Sequence, residues 1–120
     1  MIGFTSSQRY FLYRGGTDMR KSFDGLCGLV SSQMGRDFLS GDVFIFVNRD
    51  RNRIKLLVWD RSGFVIWYKR LEEGTFELPQ FGEGTQDAEI KWECLVMILE
   101  GIQLGSVKQR KRYAVNAATI

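Results

Sequence analysis

DVFIFVN (Asp42–Asn48), RDRN (Arg49–Asn52), RIKLLVWD (Arg53–Asp60), RSG (Arg61–Gly63) and FVIWYKRL (Phe64–Leu71) follow one another without interruption. Three apolar runs, rich in β-branched and aromatic residues, alternate with two short polar breaks. That is the pattern of a three-stranded antiparallel meander. A four-residue loop, Arg49–Asn52, pairs Val47 with Ile54, Ile45 with Leu56 and Val43 with Val58. A three-residue loop, Arg61–Gly63, pairs Val58 with Ile66 and Leu56 with Tyr68. Both registers gather Val43, Ile45, Val47, Ile54, Leu56, Val58, Phe64, Ile66 and Tyr68 on one face, which reads as the core.

The opposite face then carries Phe44, Phe46, Lys55, Leu57, Trp59, Val65, Trp67 and Lys69, with Lys55 and Lys69 directly opposed. Two like charges facing each other repel unless something separates them. Either a helix covers this face and the lysines reach past it to water, or the face is an interface.

Outward from the meander, Arg9–Arg14 (RYFLYR) reads as a first strand broken by Gly15-Gly16. Thr17 or Asp18 caps a helix running to about Met34, with Gly35 as its stop. Met19, Phe23, Leu26, Cys27, Val30 and Met34 form its apolar stripe. Gly25 and Gly28 lower its intrinsic propensity, so packing must hold it. Phe76–Leu78 adds a short strand ended by Pro79, and Gln80–Asp87 is a polar loop. Glu89–Lys91 leads into a second helix, Trp92–Glu100, with Gly101 as its C-cap. The expected fold is α+β: an antiparallel sheet of four to five strands, the N-terminal helix on the core face, and a second, C-terminal helix. Residues 1–113 form one domain, and 114–120 a frayed tail.

With 120 residues, 44% apolar and 26% charged, the chain is an ordinary globular domain with room for one core. Its net charge of +3 is modest, so basic character matters by location. Cys27 and Cys94 lie in apolar helical patterns without partners at metal-ligand spacing, and read as reduced core residues. No apolar run approaches the ~20 residues that span a bilayer. The N-terminus has no basic-then-apolar signal, so the expected location is the cytoplasm.

The chain has no histidine, the commonest general base. It lacks Cys-x-x-Cys, P-loop, Gly-x-Ser-x-Gly and Rossmann patterns. Asp42 and Asp60 fall at strand ends but suit turns equally well. No catalytic residue, metal or cofactor is expected, and a metal-dependent nuclease is the least favoured reading. Three basic groups remain. Arg49, Arg51 and Arg53, with Lys55, crowd the first hairpin tip, and guanidinium forks suit phosphate. The alternative is a solvated loop with Asp50 as internal counter-ion. Lys108, Arg110, Lys111 and Arg112 form a basic C-terminal arm, which reads equally as a solvated tail. Arg20 and Lys21 sit in the first turn of the first helix, where the dipole disfavours cations and attracts anions. An anionic partner or local neutralisation by Asp18 and Asp24 would each account for them.

TDMRKSFDGLCGLV (Thr17–Val30), LSGDVFIFVNRDRNRIKLLVWDRSGF (Leu39–Phe64), YKRLEEGTFELP (Tyr68–Pro79), IKWECLVMILEGI (Ile90–Ile102) and KQRKRY (Lys108–Tyr113) resemble, in order, a family of accessory proteins called TnpB. These belong to bacterial insertion sequences of the sixty-six family. The name is shared with an unrelated RNA-guided nuclease that this short chain does not resemble. The resemblance spans residues 5 to 113 and departs at Gln80–Asp87 and Ala114–Ile120. It implies a small protein encoded beside a larger transposase that carries the cutting and joining chemistry, and it transfers no catalytic residues. The leading expectation is a non-enzymatic accessory factor that binds transposon-end DNA through the hairpin and arm. The alternative is an adaptor that meets the transposase through Phe44, Phe46, Trp59 and Trp67.

Overall fold

The computed structural model describes residues 4–101. In chain order the elements are β1 (Tyr10–Tyr13), α1 (Phe23–Ser32), β2 (Val43–Val47), β3 (Arg53–Asp60), β4 (Gly63–Arg70), β5 (Asp87–Ile90) and α2 (Trp92–Glu100). The strands form one sheet in the order β4-β3-β2-β1-β5. All neighbours are antiparallel except β1 and β2, which run parallel. A parallel pair needs a crossover, and α1 supplies it. The fold is α+β, as expected, with a mixed rather than purely antiparallel sheet.

The first hairpin has the expected register, with Val47 opposite Ile54 and Ile45 opposite Leu56. The second is shifted by one residue. Val58 pairs with Val65, Leu56 with Trp67, and Asp60 with Gly63, leaving a two-residue turn, Arg61-Ser62. Gly63 is the first residue of β4, and Arg61 takes the left-handed backbone (φ 55°) that the turn needs. Because side chains alternate, the shift turns β4 over relative to expectation. Trp67 joins the Val43 face, whereas Phe64 and Ile66 join the Phe44 face. Lys55 faces Tyr68, and Lys69 faces Ile54, so the two lysines lie on opposite sides of the sheet and do not oppose each other.

Each face has its own helix. Tyr10, Leu12, Val43, Ile45, Val47, Ile54, Leu56 and Val58 pack with Leu95, Ile98 and Leu99 of α2. Phe11, Phe44, Phe46 and Leu57 pack with Leu26, Cys27 and Val30 of α1. The N-terminal helix therefore lies on the face opposite the one expected, and the result is three layers, helix on sheet on helix. Leu26, Val30, Phe44, Phe46, Leu95 and Ile98 are fully buried. Each such side chain contributes about 1.5–3 kcal/mol. Propensity cannot hold a ten-residue helix containing Gly25 and Gly28, so this burial does.

Helix α1 starts at Phe23, several residues later than expected, and residues 18–21 form a separate turn. Helix α2 has its expected limits, closed by Gly101 in the left-handed region (φ 82°), whose N–H bonds to the Ile98 and Met97 carbonyls. Lys69 Nζ donates to the Leu99 carbonyl at 3.1 Å, placing a cation at the negative end of α2. Phe76–Leu78 is not a strand. Phe76 is buried in the α2 layer, and its N–H bonds to the Arg51 carbonyl at 2.7 Å. Asp87–Ile90, which straddles the expected polar loop and the approach to α2, is a strand whose Ile90 and Ala88 oppose Tyr10 and Leu12. No helix among the described residues is long and apolar enough to cross a membrane.

Candidate nucleic-acid interface

The tip between β2 and β3 is organised by Asn48. Its side-chain oxygen accepts the N–H groups of Asn52 and Arg53, each at 2.9 Å. Its amide nitrogen donates to the Asn52 side chain at 2.7 Å, and its carbonyl accepts the Arg51 N–H at 3.0 Å. Arg51 completes the reversal with φ 57°, a conformation costly for an L residue. The tip is also stitched to the chain beyond β4: Leu71 N–H bonds to the Asn52 carbonyl at 2.8 Å, beside the Phe76–Arg51 bond. With its backbone polar groups tied on two sides, the tip is a stiff platform for its arginines.

A second segment, residues 15–21, packs beside it. Buried Thr17 donates its N–H to the Val47 carbonyl at 2.9 Å, docking the segment on the end of β2. Asp18 then forms a turn of its own. Its carboxylate accepts the Arg20 N–H at 2.9 Å and grips the Arg20 guanidinium, the shortest contact being 2.7 Å. The side-chain hydrogen bond from Arg20, then that from its backbone, holds the Asp18 carboxyl down at about 2.

Between the two segments lies an open cleft of about 760 Å³, lined by Arg20, Arg49 and Arg53 together with Asp18, Asp50, Asn48 and Asn52. Three guanidinium groups against two carboxylates leave the lining positive. Arg70 adds a further cation, because it stands directly across the sheet from Arg53. Arg53 reaches the Tyr68 hydroxyl at 3.4 Å, and Arg70 pairs with Glu72 at 3.0 Å. Like charges opposed on adjacent strands are unfavourable alone and are relieved by an anion between them.

The expected basic residues separate into distinct positions. Arg20, far along the sequence from the hairpin, shares the cleft with Arg49 and Arg53. Arg51 is exposed on the tip, and Lys21 is exposed in the 18–21 turn. Neither Arg20 nor Lys21 lies in the first turn of α1, because the Asp18 side chain closes a local turn in place of capping the helix. Lys55 leaves the group. It is buried, with Nζ on the carbonyls of Met19 and Lys21 at 2.8 Å each and 4.8 Å from the Tyr68 ring centre. Its charge holds the 18–21 turn against the sheet. Lys108, Arg110, Lys111 and Arg112 lie outside the described residues. Arg70 escaped the sequence reading; counting a two-residue turn at Arg61-Ser62 would have set it opposite Arg53.

The surface expected for an adaptor is not available as such. Phe44 and Phe46 are fully buried against the α1 layer, and Trp67 belongs to the other face. Among the described residues no three His, Cys, Asp or Glu side chains converge as a metal site, and Asp42 and Asp60 form no such cluster. Burial pushes the Cys27 thiol up, aided by Asp24, and burial pushes Cys94 up as well. Both are free thiols, on opposite sides of the sheet. Such thiols are poor nucleophiles. What the cleft can do is hold an anion between guanidinium forks.

Comparison with known proteins agrees with the resemblance carried by the sequence. The profile of a family described as IS66 Orf2-like protein matches residues 8–109. An uncharacterized protein of Sinorhizobium fredii, y4jC, is 29% identical over 110 residues, covering 92% of each chain. A second from the same organism, y4hO, is 32% identical over 79 residues, which is 66% of this chain and 69% of that one. No solved structure gives a significant match.

Proposed function

Because the chain belongs to the IS66 Orf2-like family of insertion-sequence proteins, we propose that it is a non-enzymatic accessory factor that holds DNA phosphates while a separate cytoplasmic transposase cuts and joins. The observation that carries this reading is the convergence of Arg20, Arg49 and Arg53 on one cleft beside a braced tip. Arg51 and Arg70 extend the cationic surface beyond the cleft, and the arm Lys108–Arg112 supplies further charge. Guanidinium forks positioned by a stiff backbone lose little entropy on engaging phosphate. Among the described residues no helix lies free of the sheet for a major groove, since α1 and α2 each pack on it. Recognition therefore rests on the backbone and on the hairpin itself.

The test is a fluorescence-anisotropy titration of element-end and random duplexes at two salt concentrations. The native protein binds with an affinity that falls as salt rises. Arg49→Glu, Arg51→Glu and Arg53→Glu together abolish binding while the circular dichroism spectrum stays unchanged. Binding that survives the triple change moves the site away from the hairpin.

A further inference from the structure

Strand β4 ends the sheet, and among the described residues it pairs with β3 alone. In a hairpin closed by two residues, Asp60–Gly63 is a hydrogen-bonded pair, and every second pair after it is too. The main-chain groups of Phe64, Ile66, Tyr68 and Arg70 therefore point outward, away from β3. Short edges and scattered charges usually protect such a row, but β4 is eight residues long and carries its two cations at one end. Val65 (45% exposed) and Tyr68 (47%) stand on it, two of the four large apolar side chains that the described residues expose.

We propose that this edge pairs antiparallel with the same edge of a second copy, joining two five-stranded sheets into one. The sequence of β4 is self-complementary in that direction. A twofold axis perpendicular to the sheet, centred on Ile66, sets Ile66 opposite its own counterpart and brings the outward-pointing groups into register. Phe64 then faces Tyr68 of the second copy on the α1 side, and Val65 faces Trp67 on the α2 side, so both exposed apolar side chains gain apolar neighbours. Lys69 faces Gly63. Arg70 faces Ser62, in a turn where Asp60 and Arg61 balance in charge. A parallel arrangement would stack Lys69 on Lys69 and Arg70 on Arg70, which repel. The pairing is isologous and closes on itself, as a stable dimer requires.

The dimer does not depend on the DNA reading, but it has a consequence for it. Eight residues along the strands and three strand spacings across them place the two Arg53 side chains roughly 30 Å apart. That is close to the ~34 Å of one duplex turn, so two tips could grip one face of a duplex.

Sedimentation velocity on the full chain across a wide concentration range tests the pairing. The native protein sediments at twice its 13.9 kDa mass. Val65→Lys becomes monomeric with an unchanged circular dichroism spectrum. Ile66→Cys provides a second readout that does not rely on disruption. Paired residues at the axis have Cα atoms about 5.5 Å apart, within disulfide range, so mild oxidation gives a covalent dimer. Tyr68→Cys, distant from its own counterpart, gives none. A native protein that is monomeric at every concentration overturns the proposal, whatever else occupies the edge. A dimer that persists in Val65→Lys, or cross-links through Tyr68→Cys and not Ile66→Cys, overturns it too. DNA binding by a monomer would sink the dimer and leave the proposed function standing.

Discussion

Gly16 faces the Arg49 backbone with little room between them: a Cβ on Gly16 would stand 3.2 Å from the Arg49 Cα and 3.5 Å from its amide nitrogen. The approach lies where the two walls of the cleft meet, and any side chain at residue 16 would require the Arg49 backbone to give by a few tenths of an ångström. Gly16→Val should force the segments apart and cost about 1–3 kcal/mol, the usual penalty for overpacking a fitted contact. Urea denaturation measures the cost. DNA affinity should fall with it, because Arg20 and Arg49 no longer share one cleft.

Lys55 gives a second prediction. Its ammonium group satisfies two carbonyls, so Lys55→Met leaves both without their donor and should cost about 1–3 kcal/mol. Lys55→Arg should not restore stability, since a planar fork cannot replace a compact ammonium between two oxygens. Denaturation curves of the two variants decide. A surface lysine would instead tolerate both changes with little effect.

The pair between Asp18 and Arg20 is visible in acid. Asp18 is held below its ordinary value of 3.8, at about 2, so the stabilisation it provides is complete above about 3.8 and is lost as pH falls toward 2. Carbon-detected NMR titration should place its midpoint near 2 in the native protein. In Arg20→Gln the midpoint should return toward the ordinary value, because the largest contributor to the depression is gone.

Arg70 should behave as a partner of Arg53. Each guanidinium that neutralises a phosphate adds about 0.9 to the slope of log affinity against log salt. Arg53→Gln and Arg70→Gln should each flatten that slope by up to this amount, and Lys21→Gln, on an exposed turn outside the cleft, should flatten it less. Salt titrations of duplex binding give the slopes directly.

Arg51 separates conformation from charge. With φ at 57°, an arginine there carries a backbone cost that glycine avoids. Arg51→Gly should leave stability unchanged or raise it by up to about 1 kcal/mol, while still lowering DNA affinity. Thermal melts and anisotropy on the same sample show whether the two effects part.

The sequence was most readable where one local rule decided the outcome. Strict alternation on both sides of Arg49–Asn52 set Val47 against Ile54, and Gly101 closed the apolar stripe of Trp92–Glu100. It misled where one residue supported two readings. Gly63 looks like part of a turn, but it begins β4, and that single step put Phe64, Ile66 and Tyr68 on the wrong face. Asp87–Ile90 has too little apolar character to read as a strand, since only its pairing with β1 makes it one. Lys55 in a strand beside a basic tip looked like a phosphate ligand. Its real partners, the carbonyls of Met19 and Lys21, lie 36 and 34 residues away and carry no side-chain signal. Arg20 reaches the cleft beside Arg49 and Arg53 by the same kind of long-range packing.

The position of β1 in the sheet also governs when this protein can become whole. β1, near the start of the chain, lies between β2 and β5, and β5 is made more than seventy residues later. A ribosome that has synthesised only the meander has released a sheet with Val43, Ile45 and Leu56 bare, because α2 has not yet emerged to cover them. Such a nascent chain is sticky, and its final closure is a slow, long-range event. Synthesis that stalls before residue 100 should therefore leave a product that aggregates rather than a smaller working domain.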